Sequence, residues 1–193
     1  MTTINTFALT ALLGFSSLYA TPYTVDAGHS TIGFKVRHIM VASVRGTFKD
    51  YKGHYDYNPE TKHINALKGT VKVASIFTDD KKRDDHLRSS DFFNAKKYPN
   101  MTLKLIKHTG EKALIDLTIK GITKQIEFDV EYLSGESKDP WGAVKTGFEL
   151  HGKISRKAYN ILFNKLLETG GVAVGDEVKI NLELEGVKVM DKK

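Results

Sequence analysis

Four side chains are the candidates for chemistry in this chain, namely His38, Arg83, His86 and Arg156. Imidazole and guanidinium groups donate hydrogen bonds, so each of the four could hold the polar end of a small molecule. Each could equally make a structural hydrogen bond or ion pair, because most buried polar groups and many surface charges do so. The sequence leaves both interpretations open.

Metal and covalent catalysis find no support in the motifs. The seven histidines include no pair at the spacing of a helical metal site, and the absence of cysteine excludes disulfides, thiolate nucleophiles and Cys-based zinc sites. The glycine-rich run 170–175 lacks the lysine and the strand-to-helix context of a phosphate loop, and no Gly-x-Ser-x-Gly nucleophile motif occurs. We therefore predict no catalytic residue, no metal site, no cofactor and no enzyme activity.

Length and charge indicate a single domain with a solvated surface. A chain of 193 residues that is 40% hydrophobic predicts one core. The formal charge is +6, but 29 Lys and Arg are interleaved along the chain with 23 Asp and Glu. Interleaved charges of both signs are typical of a water-facing surface. We expect no nucleic-acid partner.

The N-terminal segment differs from the rest of the chain. Residues 6–20, TFALTALLGFSSLYA, are apolar and uncharged and end in a small residue before Thr21. The stretch is too short for a comfortable membrane span, which predicts a signal peptide over residues 1–20 with cleavage after Ala20. A retained helical anchor is the alternative. We expect a periplasmic or secreted protein with one domain over residues 21–193.

The elements that must position the candidate side chains follow from an apolar period of two. Ile32, Phe34, Val36 and His38 share one face of a predicted strand, and residues 125–132 alternate most clearly of all. Roughly eight such strands, joined mainly by short turns, imply an antiparallel meander, and a sheet of that length tends to close and so remove its edges. We predict an all-β fold, an eight-stranded antiparallel barrel, with a sandwich as the alternative.

One charged segment interrupts the strands between residues 71 and 105. Residues 78–80, Thr-Asp-Asp, supply helix-capping side chains, and the sequence predicts a short helix after them. Leu87, Phe92 and Phe93 would form the apolar side of that helix. We interpret the segment as a helical lid over the barrel.

The consistent apolar faces leave two interpretations of the barrel interior. They either fill it as a core or line a channel, since an eight-stranded barrel is just wide enough for its own side chains or for one slim ligand. A membrane barrel, in which the apolar faces point outward, is rejected because nearly every strand carries Lys, Glu and Asp on its polar face.

A series of motifs occurs in order along the chain. They are His29-Ser30-x-Ile32-x-Phe34-x-Val36-x-His38, Arg83-Asp84-x-His86-Leu87-Arg88-Ser89, Asp91-Phe92-Phe93, Tyr98-Pro99, Ile154-Ser155-Arg156 and Gly175-Asp176-Glu177-Val178. Their order and spacing resemble the YceI-like family over essentially the whole chain after the N-terminal segment. The resemblance implies a lipocalin-like barrel, exported from a bacterial cytoplasm, that encloses a polyisoprenoid, an isoprenoid quinone or a fatty amide and forms dimers.

One departure from the family pattern lies in a second short helical segment predicted over residues 156–164. Family members commonly carry Phe-Gly after the Ser-Arg pair, whereas this chain has Tyr159-Asn160. Asparagine can adopt the left-handed conformation that glycine favours, so we expect the turn to be kept.

We predict a carrier or scavenger that binds one long-chain amphiphile in the barrel without chemical turnover. The expected partner is a long-chain isoprenoid or fatty lipid, with transient membrane contact and a homodimer. Phe92 and Phe93 would shield one end of the channel, while the four candidate donors named above would bind the polar end of the ligand. The predicted walls are Phe34, Val36, Val71, Val73, Ile126, Phe128, Phe148, Leu150, Ile180 and Leu182.

Two alternatives stay open at the level of sequence. One is an enzyme that acts on a lipid or quinone in the same cavity, which turnover dependent on His38 or His86 would identify. The other is a stress-response interaction protein whose barrel is filled by its own side chains, which a dense interior would indicate.

Overall fold

The computed structural model describes residues 21–39, 41–168 and 171–190, so the predicted signal peptide lies outside the described residues. Within those ranges the chain forms a twelve-segment sheet, one α-helix and two 3₁₀ turns. Helix α1 covers Lys81–Arg88, and the 3₁₀ turns cover Val73–Ser75 and Arg156–Tyr159. The strands are β1 Thr21–Val25, β2 Thr31–His38, β3 Ala42–Phe48, β4 Tyr51–Asn58, β5 His63–Lys72, β6 Ile76–Phe77, β7 Asn100–Thr109, β8 Lys112–Ile119, β9 Ile122–Glu131, β10 Ser137–Lys138, β11 Val144–Ser155 and β12 Val174–Lys188.

The segments close into an eight-stranded antiparallel barrel, and the predicted fold class is confirmed. β1 and β2 lie end to end along one edge of β12, and β4 and β3 lie end to end beside them. β5 and β6 pair with β4 and β3 in the same way. Pairing then runs through β7, β8 and β9 to β11, which closes the barrel against the other edge of β12.

Aromatic rings fill the end of the barrel where β4 and β12 finish, which we call the aromatic end. Tyr23, Tyr55 and Tyr57 are fully buried there. The Tyr23 and Tyr55 rings stack with centroids 5.2 Å apart, and Phe148 meets Tyr55 edge to face at 4.9 Å. The Tyr55 hydroxyl donates to the main-chain oxygen of Thr146 at 3.0 Å, and burial raises its pKa to about 12. This end is a packed core.

Helix α1 and the turns after it cover the opposite end, which we call the lid end. Asp80 caps the helix by accepting from the main-chain N–H of Arg83 at 3.0 Å, so the predicted capping is confirmed. The one buried residue of the helix is a carboxylate, Asp84. It accepts from the N–H and the hydroxyl of Thr78 at 2.9 and 2.6 Å. The start of the lid is therefore held by hydrogen bonds.

Helix α1 is too short to include all three residues of the predicted apolar side. It ends at Arg88, so Phe92 and Phe93 lie in the turns beyond it, and their assignment to a helix face was wrong. The Arg88 guanidinium donates to the main-chain oxygens of Ala74 and Ile76 at 2.8 and 2.9 Å. The lid is thereby tied to the 3₁₀ turn after β5 and to β6.

The second helical segment is present but shorter than predicted, because it is a 3₁₀ turn over Arg156–Tyr159 and residues 160–164 are not helical. It ends at Asn160, whose φ of 56° and ψ of 36° lie in the left-handed region. Asparagine tolerates this conformation better than most other residues with a side chain. The turn is kept as expected. Among the described residues, no helix is long and apolar enough to cross a membrane.

The aromatic end can be tested at Gly186 in β12. A Cβ atom there would lie 2.5 to 2.7 Å from the nearest Tyr55 atoms, so Gly186→Ala must displace a fully buried ring. We expect the free energy of unfolding to fall by about 1–3 kcal/mol in urea denaturation. Gly135→Ala is the matched control, because a Cβ there meets no atom within 4 Å. Equal stability of the two variants would contradict the packing described.

Buried His108 in β7 predicts a loss of stability in acid. Its Nδ1 accepts from the N–H of Ile64 at 3.1 Å, and burial, helped by His63, lowers its pKa. The unfolded chain therefore takes up the proton first, near pH 6.5, and the free energy of unfolding falls as the pH drops below about that value. His108→Asn, whose side-chain oxygen can replace Nδ1, should flatten this decline in urea denaturation series. The same change at exposed His54 is the control, and an unaltered decline in His108→Asn would refute the assignment.

Candidate functional site in the lid-end cavity

An internal cavity of about 140 Å³ lies at the lid end of the barrel. Leu87, Phe92 and Phe93 contribute its cover from the lid. Thr102 and Arg156 are the polar residues among those that line it. A cavity of about 150 Å³ lined by aliphatic and aromatic side chains stays dry and holds a benzene-sized group. The site therefore suits an apolar group.

Two phenylalanine rings lie over glycines on the cavity wall. Phe128 on β9 faces Gly152 on β11, where a Cβ atom would meet the ring at 2.5 Å. Phe34 on β2 covers Gly46 on β3 in the same manner. Because glycine has no side chain, each ring can approach the neighbouring backbone closely. Both rings line the cavity.

The cavity gathers part of the predicted wall. The predicted residues that line it are Phe34, Val36, Val71, Phe92, Phe93, Phe128, Arg156, Ile180 and Leu182. Four others lie elsewhere among the described residues. Val73 is buried in the 3₁₀ turn after β5, Ile126 packs against the core, Phe148 belongs to the aromatic end, and Leu150 is fully buried two residues further along β11. An apolar period of two assigns a face but not a depth along the barrel.

Sequence reasoning missed much of the wall. Most of the missed residues lie in strands and carry the same alternating apolar signal as those that were named, but Ile161 lies in the connection before β12 and Val174 lies before the register shift of that strand. The wall residues that the sequence analysis missed are Ile32, Phe48, Met101, Leu103, Ile115, Leu117, Ile119, Ile154, Ile161, Val174 and Val178.

Arg156 borders the cavity with its donors already engaged. Its Nε donates to the main-chain oxygen of Gly175, and its Nη1 to those of Ile161 and Phe163, each at 2.8 Å. Its Nη2 lies 3.2 Å from the main-chain oxygen of Val174. The side chain is 4% exposed, and burial lowers its pKa. The predicted role as a donor to a ligand would require one of these bonds to break first.

Arg83 likewise serves the lid. Its Nε donates to the hydroxyl of Thr78 at 2.8 Å, and its Nη2 to the main-chain oxygen of the same residue at 2.7 Å. The side chain remains 38% exposed at the edge of the lid. It is absent from the cavity wall.

His86 lies where the lid meets the segment that follows the second 3₁₀ turn. Its ring contacts Phe92 and Phe163 edge to face, with centroids 5.0 and 4.8 Å apart, and those two phenylalanines are 4.9 Å apart. Its Nε2 is 2.9 Å from Oδ2 of Asp91. The imidazole is 43% exposed, so it lies outside the cavity at its rim. We call Phe92, His86 and Phe163 the latch.

His38 lies outside the site. It ends β2 and is exposed, although β2 is still paired with β3 and β12 at this residue. The expectation that it lies on a buried apolar face was therefore wrong. A strand's alternating pattern continues past the point where the strand stops being covered.

A potential group of metal ligands lies away from the cavity. Asp26, His29 and Glu185 bring ligand atoms within 4.8 Å of one another. Lys145 Nζ lies 2.8 Å from Glu185 and 3.3 Å from Asp26, so the carboxylates already have a cation. The hydrogen bond from His29 is the largest factor that lowers the pKa of Asp26 to about 2. We assign this group to holding the turn between β1 and β2.

The sequence matches the family model of the YceI-like domain over residues 23–186. A UPF0312 protein of Photorhabdus laumondii is 41% identical over 155 residues, which covers 77% of this chain and 80% of that protein. The crystal structure of the Campylobacter jejuni YCEI protein is 33% identical, with a TM-score of 0.67, over 80% of this chain and 90% of its own.

A further structure has the same fold at lower identity. The polyisoprenoid binding domain from Saccharophagus degradans, 14% identical, superposes with a TM-score of 0.62 over 86% of this chain and 98% of its own. That likeness concerns the fold alone. The family match covers nearly all of the described barrel, and the chain belongs to the YceI-like family.

Proposed function

We propose that this protein is an exported carrier or scavenger that binds one long-chain amphiphile in the lid-end cavity without turning it over. The observation that carries the proposal is an internal space of about 140 Å³ whose walls are almost entirely hydrocarbon. The Saccharophagus degradans domain with the same fold is named as polyisoprenoid-binding. An isoprenoid chain is therefore the first candidate, ahead of an isoprenoid quinone or a fatty acid or amide. Homodimers and transient contact with a membrane are part of the proposal.

A long chain must widen the cavity in order to enter. A volume of about 150 Å³ holds a group the size of benzene, so the present space accepts only the end of such a molecule. Phe34, Leu87 and Phe93 are only partly buried, and their movement would enlarge it. Each buried methylene contributes about 0.8 kcal/mol, so about ten would offset the several kcal/mol of freedom that the ligand loses.

The polar end of the ligand is proposed to stay at the rim of the lid. The donors of Arg156 are engaged inside, whereas the side chains of Arg83 and His86 are 38% and 43% exposed at the edge. A polar group left in the cavity would lack partners and would cost free energy. Separation of Phe92 from Phe163 in the latch would open a path beside these two donors.

Organic extraction and mass spectrometry of protein purified from its own host test the proposal. We expect one long-chain lipid in near-stoichiometric amount. Val36→Phe should reduce the yield at least severalfold, because the added ring occupies the cavity, and Phe128→Asp should abolish it, because a carboxylate in an apolar cavity excludes hydrocarbon. Val189→Phe, at a 48% exposed position beyond β12, is the control for added aromatic surface.

The same extraction can also contradict the proposal. Folded Val36→Phe protein that retains as much lipid as the unmodified chain would remove the lid-end cavity from the proposal. Circular dichroism confirms folding of each variant before extraction. Absence of any lipid from the unmodified protein, together with turnover of a long-chain substrate lost on His86→Ala, would favour the enzyme instead.

Export carries a separate prediction. Intact-mass measurement of the protein from its own host should give a chain that begins at Thr21, because a signal peptidase would cut after Ala20. A mature pool that begins at Met1 would contradict export with cleavage and would favour the retained anchor.

A further inference from the structure

A row of four cations crosses the outside of the barrel. Arg45 on β3, Lys35 on β2, Lys179 on β12 and Lys153 on β11 are direct cross-strand neighbours in that order. They line a surface groove of about 790 Å³. None of the four lies within ion-pair distance of a carboxylate among the described residues. The two carboxylates that line the same groove, Glu127 and Asp129, pair with Lys112, so among the described residues the cationic row has no close ion pair of its own and its like charges repel one another.

The cationic row lies near the lid end. On β2 it is two residues from exposed Arg37, close to where the strand finishes, a separation of about 7 Å. This is within a Debye length at physiological ionic strength. The connections at the lid end carry more Lys and Arg than Asp and Glu, whereas those at the aromatic end carry more Asp and Glu. The barrel is thus positive at the end that holds the cavity.

Exposed aliphatic side chains lie in the connections at the same end. Val41, in the connection from β2 to β3, is 80% exposed, and Leu162 and Leu166, in the segment before β12, are 59% and 86% exposed. The two segments are joined because the N–H of Ile39 donates to the main-chain oxygen of Ala173 at 2.9 Å. The residues next to Leu162 and to Ala173 line the cavity. We call Val41, Leu162 and Leu166 the mouth patch.

We propose that the lid end docks on the surface of an anionic phospholipid bilayer. The mouth patch enters the headgroup layer, and the cationic row with Arg37 binds the lipid phosphates. The exposed aliphatic side chains of the mouth patch lie beside the cationic row, and this combination matches a bilayer whose headgroups are negative and whose interior is apolar. The inference rests on the proposed function, because docking brings the cavity against the membrane that would supply or receive the lipid.

Vesicle flotation tests the docking surface. We expect the protein to bind vesicles of phosphatidylcholine and phosphatidylglycerol in equal parts at least tenfold more tightly than vesicles of phosphatidylcholine alone, and to bind them less tightly as salt is added. The double variant Lys35→Gln with Lys179→Gln should weaken binding to the anionic vesicles by about tenfold to thirtyfold, because each basic charge near such a surface strengthens binding roughly fivefold. Leu166→Asp should weaken it about tenfold.

Matched controls lie elsewhere on the same barrel. Lys68 and Lys104 are also direct cross-strand neighbours on the outer face, on β5 and β7, so Lys68→Gln with Lys104→Gln removes equal charge outside the row. Trp141→Asp removes an apolar side chain that is 89% exposed toward the aromatic end. Both controls should bind like the unmodified chain. Each variant is made in the full chain and in the chain that begins at Thr21, because residues 6–20 could themselves bind a bilayer.

The outcomes separate docking from lipid binding. If lipid can be extracted from the purified protein but the protein does not float with anionic vesicles at low salt, the docking surface is overturned and the proposed function stands. An equal loss of flotation in the control variants also overturns it. Sedimentation could instead show a dimer that Leu166→Asp dissociates, with no binding to vesicles. That result assigns the mouth patch to a second copy of the chain and overturns docking on a bilayer. Flotation that depends on the row in protein without extractable lipid supports docking and counts against the carrier.

Discussion

The interior of an eight-stranded barrel has room for only one layer of side chains, and the structure depends on how that room is divided. At the aromatic end Tyr23, Tyr55 and Phe148 project inward and meet, which leaves a packed core. At the lid end Phe34 and Phe128 lie over glycines of the neighbouring strands. Tyr55 also lies over a glycine, Gly186, so glycines alone do not distinguish the two ends. The rings of the aromatic end pack against one another, whereas a cavity of about 140 Å³ remains at the lid end.

The lid depends mainly on hydrogen bonds. Arg88 donates to main-chain oxygens of Ala74 and Ile76, and Asp84 accepts from Thr78. Arg156 donates to main-chain oxygens of the segment that follows the second 3₁₀ turn. Of the four candidate side chains only Arg156 lines the cavity, and its donors are used in this framework, which leaves the wall apolar. Hydrocarbon contact at the latch between Phe92 and Phe163 is the part that can separate without breaking those bonds. Access and affinity consequently depend on different interactions.

The strands, their closure and the capped lid could be predicted from sequence, because alternation, capping residues and short turns are local signals. Asn160 kept its turn for a local reason as well. The site was predicted only in part. Phe148 and Phe128 have the same pattern in their strands, yet one lies at the aromatic end and the other on the cavity wall. Depth along the barrel depends on the register between strands, and His38 shows that a pattern does not mark where coverage stops.

The same register explains why the charge distribution was misleading in sequence. Lys35, Lys153 and Lys179 are each flanked by uncharged residues, and over the whole chain basic residues are interleaved with acidic ones. Pairing of β2, β12 and β11 nevertheless brings the three side by side, with Arg45 next to them. Each like-charged cross-strand pair costs a few tenths of a kcal/mol up to about 1 kcal/mol, which neighbouring hydrogen bonds and core packing easily offset. A surface that repels itself in water gains when an anionic surface replaces its counter-ions, so the cationic row is suited to meet one.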